Sequence, residues 1–368
     1  MWVLAVALVA TGWAAPVPGL YEAEVPVEND TQAQRAAAFS KAMGQVLIGV
    51  TGRPEAAAME ETQDLRRAAE RYVQQYRIKP DGKLWVAFDS LALDAALAER
   101  GLPIWGAERP AVLLVLAVDQ GGGARFVLSA EDEVRDDDAH ELRSRMTGLA
   151  EYRGLPLVLP LMDAQDRSVI SFGEVWGGFD QALQTAGERY GTDAVLLGRL
   201  STDAEFRTRW TLYSGDQAYR WTGGLEDGIN GTSDRFAQRY AVTTGAAVEG
   251  EVGLAVHGVN SLEGYGRVLA YLEGLTAVRS VQVRALRGDT VVFGLALMGS
   301  IENLERAIRL SIIKILSFRR KEISLYIVCR SIIKKKKFFK EVNGIESYKG
   351  FWVGGGCVFW GDVSGGGG

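Results

Sequence analysis

The run Ala111-Val-Leu-Leu-Val-Leu-Ala-Val118 decides the class of fold. Eight consecutive apolar residues are too few for a typical helix and leave no polar face. Pro110 precedes them and Gln120–Gly123 follows, so the run reads as a strand buried on both sides. Such a strand needs helices above and below its sheet, and the downstream sequence supplies them. The glycines turn the chain into Ala124–Ser129, a hairpin partner. The charged stretch Glu131–Glu141 leads into a helix reaching about Arg153, and Leu155–Met162 is a second apolar strand. A helix over Phe179–Tyr190 and a strand over Ala194–Leu200 repeat the alternation. Phe206–Tyr213 and Gln217–Thr222 form a hairpin around Ser214–Asp216, and a helix over Asp234–Val242 closes a unit spanning 111–248. Strands alternating with helices predict an α/β layer structure with a mixed sheet.

Upstream, residues 16–110 read as a smaller α+β unit. Leu20–Val27 alternates like a strand. Asn29, Asp30 and Thr31 offer caps for a helix in which Ala36, Phe39, Met43, Val46, Leu47 and Val50 recur at helical spacing, and Thr51–Pro54 ends it. Leu65, Ala69, Tyr72, Val73 and Tyr76 predict a second amphipathic helix. Lys83–Asp89 reads as a strand, Leu91–Glu99 as a short helix and Pro103–Pro110 as a loop around Trp105. Residues 1–15 stand apart. Trp2–Val9 is an unbroken apolar run, shorter than the roughly 20 residues that span a bilayer. Ala14 and Ala15 before Pro16 are small residues suited to cleavage. The segment predicts a signal peptide and a periplasmic location without a stable transmembrane anchor, although no Lys or Arg precedes the run.

Downstream, residues 249–310 read as strand (Glu251–Val259), helix (Leu262–Leu272), strand (Val278–Ala285), strand (Thr290–Leu297) and helix (Ile301–Leu310). Asn260 with Glu263 suits a capping box. The βαββα order is that of a ferredoxin-like sandwich missing its final strand, or with that strand replaced by the tail beyond Leu310. The whole is therefore expected to be α+β / α/β, built of several small mixed-sheet units.

Composition breaks after Leu310. Residues 1–310 hold 27 Arg, 3 Lys and 7 Ile, whereas 311–368 hold 3 Arg, 8 Lys, 8 Ile and no Ala. Basic against acidic residues number 30 against 42 before the break and 11 against 4 after it. So abrupt a change predicts that 311–368 is an aberrant tail, the product of a frameshift or an assembly artefact; the alternative is a basic membrane-surface helix followed by a Gly-rich tail. Both cysteines, Cys329 and Cys357, lie in that tail. The remaining body has no means of forming a disulfide, a thiolate metal site or a thiol nucleophile. The chain's net charge of −5 argues against a nucleic-acid binder.

The motifs point away from catalysis. Gly121–Gly123 joins two strands, whereas a phosphate cradle opens a helix. Gly264 and Gly266 are half a dinucleotide fingerprint, with Leu269 where a third glycine belongs. The acidic run Glu131–Asp138 lacks the alternation and glycine of a calcium loop. Two histidines, His140 and His257, would need carboxylates to complete a zinc set. No Gly-x-Ser-x-Gly elbow occurs. We therefore expect no catalytic residues, no cofactor and no metal. The hairpin carries Trp210, Tyr213, Tyr219 and Trp221 with Arg207, Arg209 and Arg220 between them. Alternation assigns Phe206, Thr208, Trp210 and Leu212 to a core face, and Arg207, Arg209 and Tyr213 to the opposite one.

Three stretches carry a resemblance: Arg153-Gly-Leu-Pro-Leu-Val-Leu-Pro-Leu-Met-Asp163, Val175-Trp-Gly-Gly-Phe-Asp180 and Ala186-Gly-Glu-Arg-Tyr-Gly-Thr-Asp-Ala-Val-Leu-Leu-Gly-Arg-Leu200. With Tyr21–Pro54 they resemble a proteobacterial envelope family known as domain of unknown function 2066, over about residues 20–310. That family has no established activity, so the resemblance implies no catalytic residues. Ala186–Leu200 is also similar to N-terminal domains of periplasmic assembly proteins of the Tol and curli-secretion type, an analogy of fold alone. The expected function is an exported, non-catalytic binding or envelope-assembly module contacting an envelope protein or polymer. The alternative is a carboxylate-dependent hydrolase of an envelope polymer. Trp176, Asp180, Arg189, Tyr190 and Arg199 are the candidate ligand-binding residues, because they fall at helix and strand ends of the middle unit.

Overall fold

The computed structural model describes residues 17, 19–28, 30–131, 137–178, 186–201, 207–243, 251–256, 259–298, most of 301–308 and the backbone of 325–329. They fall into two compact units, one spanning Val17–Gly245 and one within Ala246–Gly368. The expected class, α+β with several small sheets, is the one observed.

The first unit opens with β1 (Glu22–Pro26), α1 (Gln32–Thr51), α2 (Glu60–Arg67), β2 (Val73–Ile78), β3 (Lys83–Phe88) and α3 (Ser90–Glu99). The three strands form an antiparallel sheet in the order β1-β3-β2. Alternation turns Ala23 and Val25 of β1 and Leu84, Val86 and Phe88 of β3 inward, where α1 covers them with Phe39, Met43, Val46, Leu47 and Val50. Each such burial contributes roughly 1.5–3 kcal/mol. The Thr31 side chain caps α1 by accepting from Gln34 N, and Gly52 ends it at φ +69° with its N–H on Ile48 O at 3.0 Å. The predicted second helix stops at Arg67. After a tight turn over Ala69–Tyr72 the chain enters β2, so Val73 and Tyr76 lie on a strand. Backbone pairing with β3 across the Lys79–Lys83 turn outweighs the helical spacing. Tyr76 still meets the helix layer, edge-on to Phe39 at 5.3 Å.

A second sheet follows in the same unit. Its elements are β4 (Val112–Asp119), β5 (Arg125–Val127), α4 (Asp137–Tyr152), β6 (Leu157–Val158), α5 (Ala164–Arg167), α6 (Phe172–Gly177), β7 (Ala194–Ser201), β8 (Thr208–Ser214), β9 (Gln217–Gly223) and α7 (Asp227–Tyr240). The strand order is β5-β4-β7-β8-β9, with β6 also on β4. β4 runs parallel to β6 and β7, and the other pairs are antiparallel. Every residue of Val112–Val118 is buried. Val112, Leu114, Leu116 and Val118 face the core under α4 and α7, and Leu113, Val115 and Ala117 face the core under α6 and residues 186–190.

Two buried arginines tie the layers of this unit together. Arg109 spends all five guanidinium N–H groups on backbone carbonyls. Its Nε donates to Gly106 O (2.8 Å) and its Nη1 to Arg153 O (3.2 Å) and Gly154 O (2.9 Å). Its Nη2 donates to Gly49 O (2.8 Å) and Trp105 O. The guanidinium lies 3.9 Å over the Trp105 ring. Burial pulls its pKa down to about 9, so it remains charged at neutral pH. Arg153 reaches Gly52 O at 3.0 Å, Asn230 Oδ1 at 2.7 Å and Asp234 Oδ1 at 2.6 Å. The end of α1 is thereby joined to the C-terminal end of α4 and to α7.

The second unit holds β10 (Glu251–Val256), α8 (Leu262–Gly274), β11 (Val278–Arg287), β12 (Thr290–Leu297) and β13 (Leu325–Cys329). The cap of α8 is Ser261, which accepts from Gly264 N at 3.1 Å, and not Asn260. The sheet order is β11-β12-β10-β13, with antiparallel neighbours throughout. A further strand therefore occupies the free edge of β10, so of the two expectations, strand missing or strand supplied by the tail, the second is the one seen. It comes from within 311–368, where Leu325-Tyr-Ile-Val-Cys329 combines β-branched and aromatic residues of high strand propensity. Among the described residues no helix is long and apolar enough to cross a membrane.

Gly52 meets two constraints at once. Its φ is left-handed, and a Cβ there would stand 2.4 Å from Ala237 Cβ and 2.9 Å from Trp105 Cε3. Gly52→Ala is expected to destabilise the unit by roughly 2–4 kcal/mol, from left-handed strain plus overpacking. Urea unfolding followed by tryptophan fluorescence measures this.

Candidate binding site

From β4 the chain passes to β6 on one flank, and from β6 to β7 on the other. The first crossing uses α4 on one face of the sheet, and the second uses α5 and α6 on the opposite face. The carboxyl ends of β4 and β7 thus lie where the winding reverses, the place at which open α/β sheets take ligands.

Register places Asp119 opposite Arg125, and Arg199 opposite Arg209. Directly opposed residues share a face, and here it is the face that carries α6. A capping box fixes the start of α6: Glu174 N donates to Ser171 Oγ at 3.2 Å, and Ser171 N donates to Glu174 Oε2 at 3.1 Å. Gly178 ends it at φ +79°. A Cβ at Gly178 would lie 2.9 Å from Arg199 Nη2, so the bare backbone lets the guanidinium approach. Arg199 Nε then donates to Val175 O at 2.7 Å, satisfying a carbonyl of the last helical turn.

Phe172 and Trp176, four residues apart on α6, stack at 5.0 Å with 19° between planes. Guanidiniums bracket the pair. Arg125 lies 5.4 Å from the Phe172 ring and Arg209 lies 5.9 Å from the Trp176 ring. Arg125 also pairs with Asp119 at 2.9 Å. Flat aromatic faces beside fixed guanidiniums hold planar groups and oxyanions, and arginines do not exchange protons near neutrality. Among the described residues no group of three or more His, Cys, Asp or Glu is arranged to hold a metal ion.

A second cluster lies under the same face. Asp163 caps α5 by accepting from Gln165 N and Asp166 N, each at 3.0 Å. Arg189 grips Asp163 through Nη1 (2.8 Å) and Nη2 (2.6 Å), and its Nη1 also donates to buried Asp166. Asp166 further accepts from Tyr190 Oη and from Met162 N at 2.9 Å. The Tyr190 hydroxyl in turn accepts from Leu161 N at 2.7 Å. Met162 takes a left-handed φ of 56° to aim its N–H at Asp166. The Arg189 hydrogen bonds hold Asp163 well below the usual carboxylate range, and Asp163 raises Arg189 in return. Burial, followed by Asp166, raises Tyr190.

The five candidates therefore divide. Trp176 and Arg199 meet at the end of α6, and Arg189 and Tyr190 meet at Asp166. Asp180 lies outside the described residues. Of the hairpin aromatics, Trp210 is buried with Nε1 on Gly224 O at 3.1 Å, while Trp221 lies under Arg235 at 4.3 Å. Phe172, Arg125 and Asp166 were not singled out from sequence. The Ser171–Glu174 capping spacing ahead of two aromatics four apart is the signal that marks the first.

Residues 14–106 match a family described as a domain of unknown function (DUF8605), about a quarter of the chain. That family corrects the resemblance drawn from sequence: domain of unknown function 2066 is not the one found. Short apolar segments such as Arg153–Asp163 recur wherever an α/β sheet is assembled, and so they separate families poorly. None of the curated proteins matches the chain.

The depressed Asp163 pKa stabilises the fold above the unfolded value near about 4, and that stability is lost as pH falls through the folded one. Arg189→Gln is expected to be less stable than wild type at neutral pH. The gap should narrow on acidification from about pH 4 towards about pH 2, measured by urea midpoints across that range.

Proposed function

We propose that the chain is an exported, periplasmic, non-catalytic binding or envelope-assembly module. Its docking surface is the Phe172–Trp176 pair with Arg199 and Arg209, and its partner is an envelope protein or polymer. One observation carries the reading: an exposed arginine and a second one fixed by the end of α6 flank a stacked aromatic pair at the switch point of the sheet. Aromatic and arginine side chains dominate binding hot spots, because they combine large contact area with directional charge.

Two further points support it. Trp2–Val9 followed by Ala14 and Ala15 is a leader-like segment, and the family match, residues 14–106, leaves its apolar run outside. A carboxylate hydrolase needs one carboxyl held protonated near neutrality beside a second that is ionised. Asp163 and Asp166 instead share one arginine, and Asp163 is held ionised. Asp94 on α3 is pushed up to about 6 by burial, but the hydroxyl of Tyr21 faces it, at 2.8 Å.

The test is retention of envelope components on the immobilised full chain, wild type against Trp176→Ala. The wild type should retain a defined protein or polymer, and Trp176→Ala should weaken retention by at least about tenfold, the loss of one hot-spot aromatic. Equal retention by both proteins would remove this surface from the account.

A further inference from the structure

Arg199 and Arg209 stand directly opposite each other on β7 and β8, on one face of the sheet. Side chains so placed have Cβ atoms about 5 Å apart, and like charges at that distance destabilise the pair. Among the described residues no carboxylate pairs with either guanidinium. Arg199 donates from Nε to Val175 O, and its Nη groups lie over the bare backbone of Gly178 at the end of α6. Arg209 is exposed and rests on the Trp176 ring. The nearby carboxylate, Asp119, is already taken by Arg125. Residues 1–310 carry 42 acidic against 30 basic residues, so two adjacent arginines, one half-buried and one exposed, with no described carboxylate between them run against the charge of the body.

We infer that Arg199, Arg209 and Trp176 form an oxyanion subsite for a phosphate monoester group of the ligand. The inference rests on the α6 surface being the docking face. A phosphate monoester carries about −1.5 to −2 charge at neutral pH and presents three oxygens. It neutralises both guanidiniums at once, and each can meet it through two N–H groups. A carboxylate brings one negative charge and leaves the second arginine uncompensated. Phe172 and Arg209 cover the two faces of Trp176, so its half-buried ring edge beside Arg209 takes the carbon skeleton that bears the phosphate. That skeleton is a sugar or a lipid headgroup, and the chemistry at the arginines is the same for both.

The experiment is thermal unfolding of the full chain titrated with inorganic phosphate at constant ionic strength, with acetate and chloride as controls. Wild type should show a saturable rise in Tm with phosphate alone. Arg209→Gln should need at least tenfold more phosphate for the same rise. Thr222, exposed and directly opposite Arg209 on β9, allows a second variant that keeps both arginines. Thr222→Glu sets a carboxylate beside Arg209 and should abolish the phosphate response. Repeating the titration with glucose 6-phosphate, and with phosphatidylcholine vesicles with and without phosphatidic acid, distinguishes the two skeletons, and a preference for either phosphate carrier supports the subsite. A phosphate response that acetate reproduces, or that both variants retain, overturns it. Loss of envelope retention in Trp176→Ala without any phosphate response also overturns the subsite while leaving the docking surface standing.

Discussion

Arg109 is the interaction on which the first unit depends. A buried guanidinium is costly unless its donors are met, and here five N–H groups meet five backbone carbonyls. Those carbonyls belong to the end of α1, the Trp105–Gly106 loop and the end of α4. Among the described residues no carboxylate hydrogen-bonds to it, so the charge is spread over dipoles from three chain segments, which Trp105 N on Val50 O (2.7 Å) and Arg153 on Gly52 O (3.0 Å) also draw together. Arg153 extends the clamp to Asn230 and Asp234 of α7. The three-stranded sheet and the larger sheet are thereby fastened at the level of backbone, with Gly52 giving the room.

The site inherits its geometry from this frame. β4 and β7 are buried on both faces, so their carboxyl ends are fixed points. α6 is short, and it is held at its start by the Ser171–Glu174 box and at its end by Arg199. Arg189 fastens the segment before α6 by joining Asp163 and Asp166 to residues 186–190. The aromatic pair therefore sits on a helix locked at both ends.

Much of the fold was legible. The apolar run at 112–118 and the period-two hairpin both appear where the pattern placed them, because burial on a sheet leaves a direct mark on residue type. Trp176 and Arg199 were legible as residues at element ends. Other features were not. Val73 and Tyr76 fit a helical stripe and became a strand, because partner strands are a tertiary matter. Arg109 looked like any loop arginine, since its acceptors at Gly49, Arg153 and Gly154 lie 44 to 60 residues away. Asp166 read as an ordinary turn residue, and only the fold brings Arg189 and Tyr190 to it. β13 was hidden by a change of composition that says nothing about backbone pairing.

The most direct measurement is on Arg109→Lys, which keeps the charge but offers three donors from one point in place of five from a planar fork. Equilibrium urea unfolding would be followed by tryptophan fluorescence and far-ultraviolet circular dichroism together. The clamp predicts that wild-type Val17–Gly245 unfolds as one step within the full chain. It further predicts that Arg109→Lys loses about 2–4 kcal/mol from that step, as buried carbonyls go unmet. An Arg109→Lys protein with the wild-type midpoint and slope would show that charge alone suffices and would contradict the account.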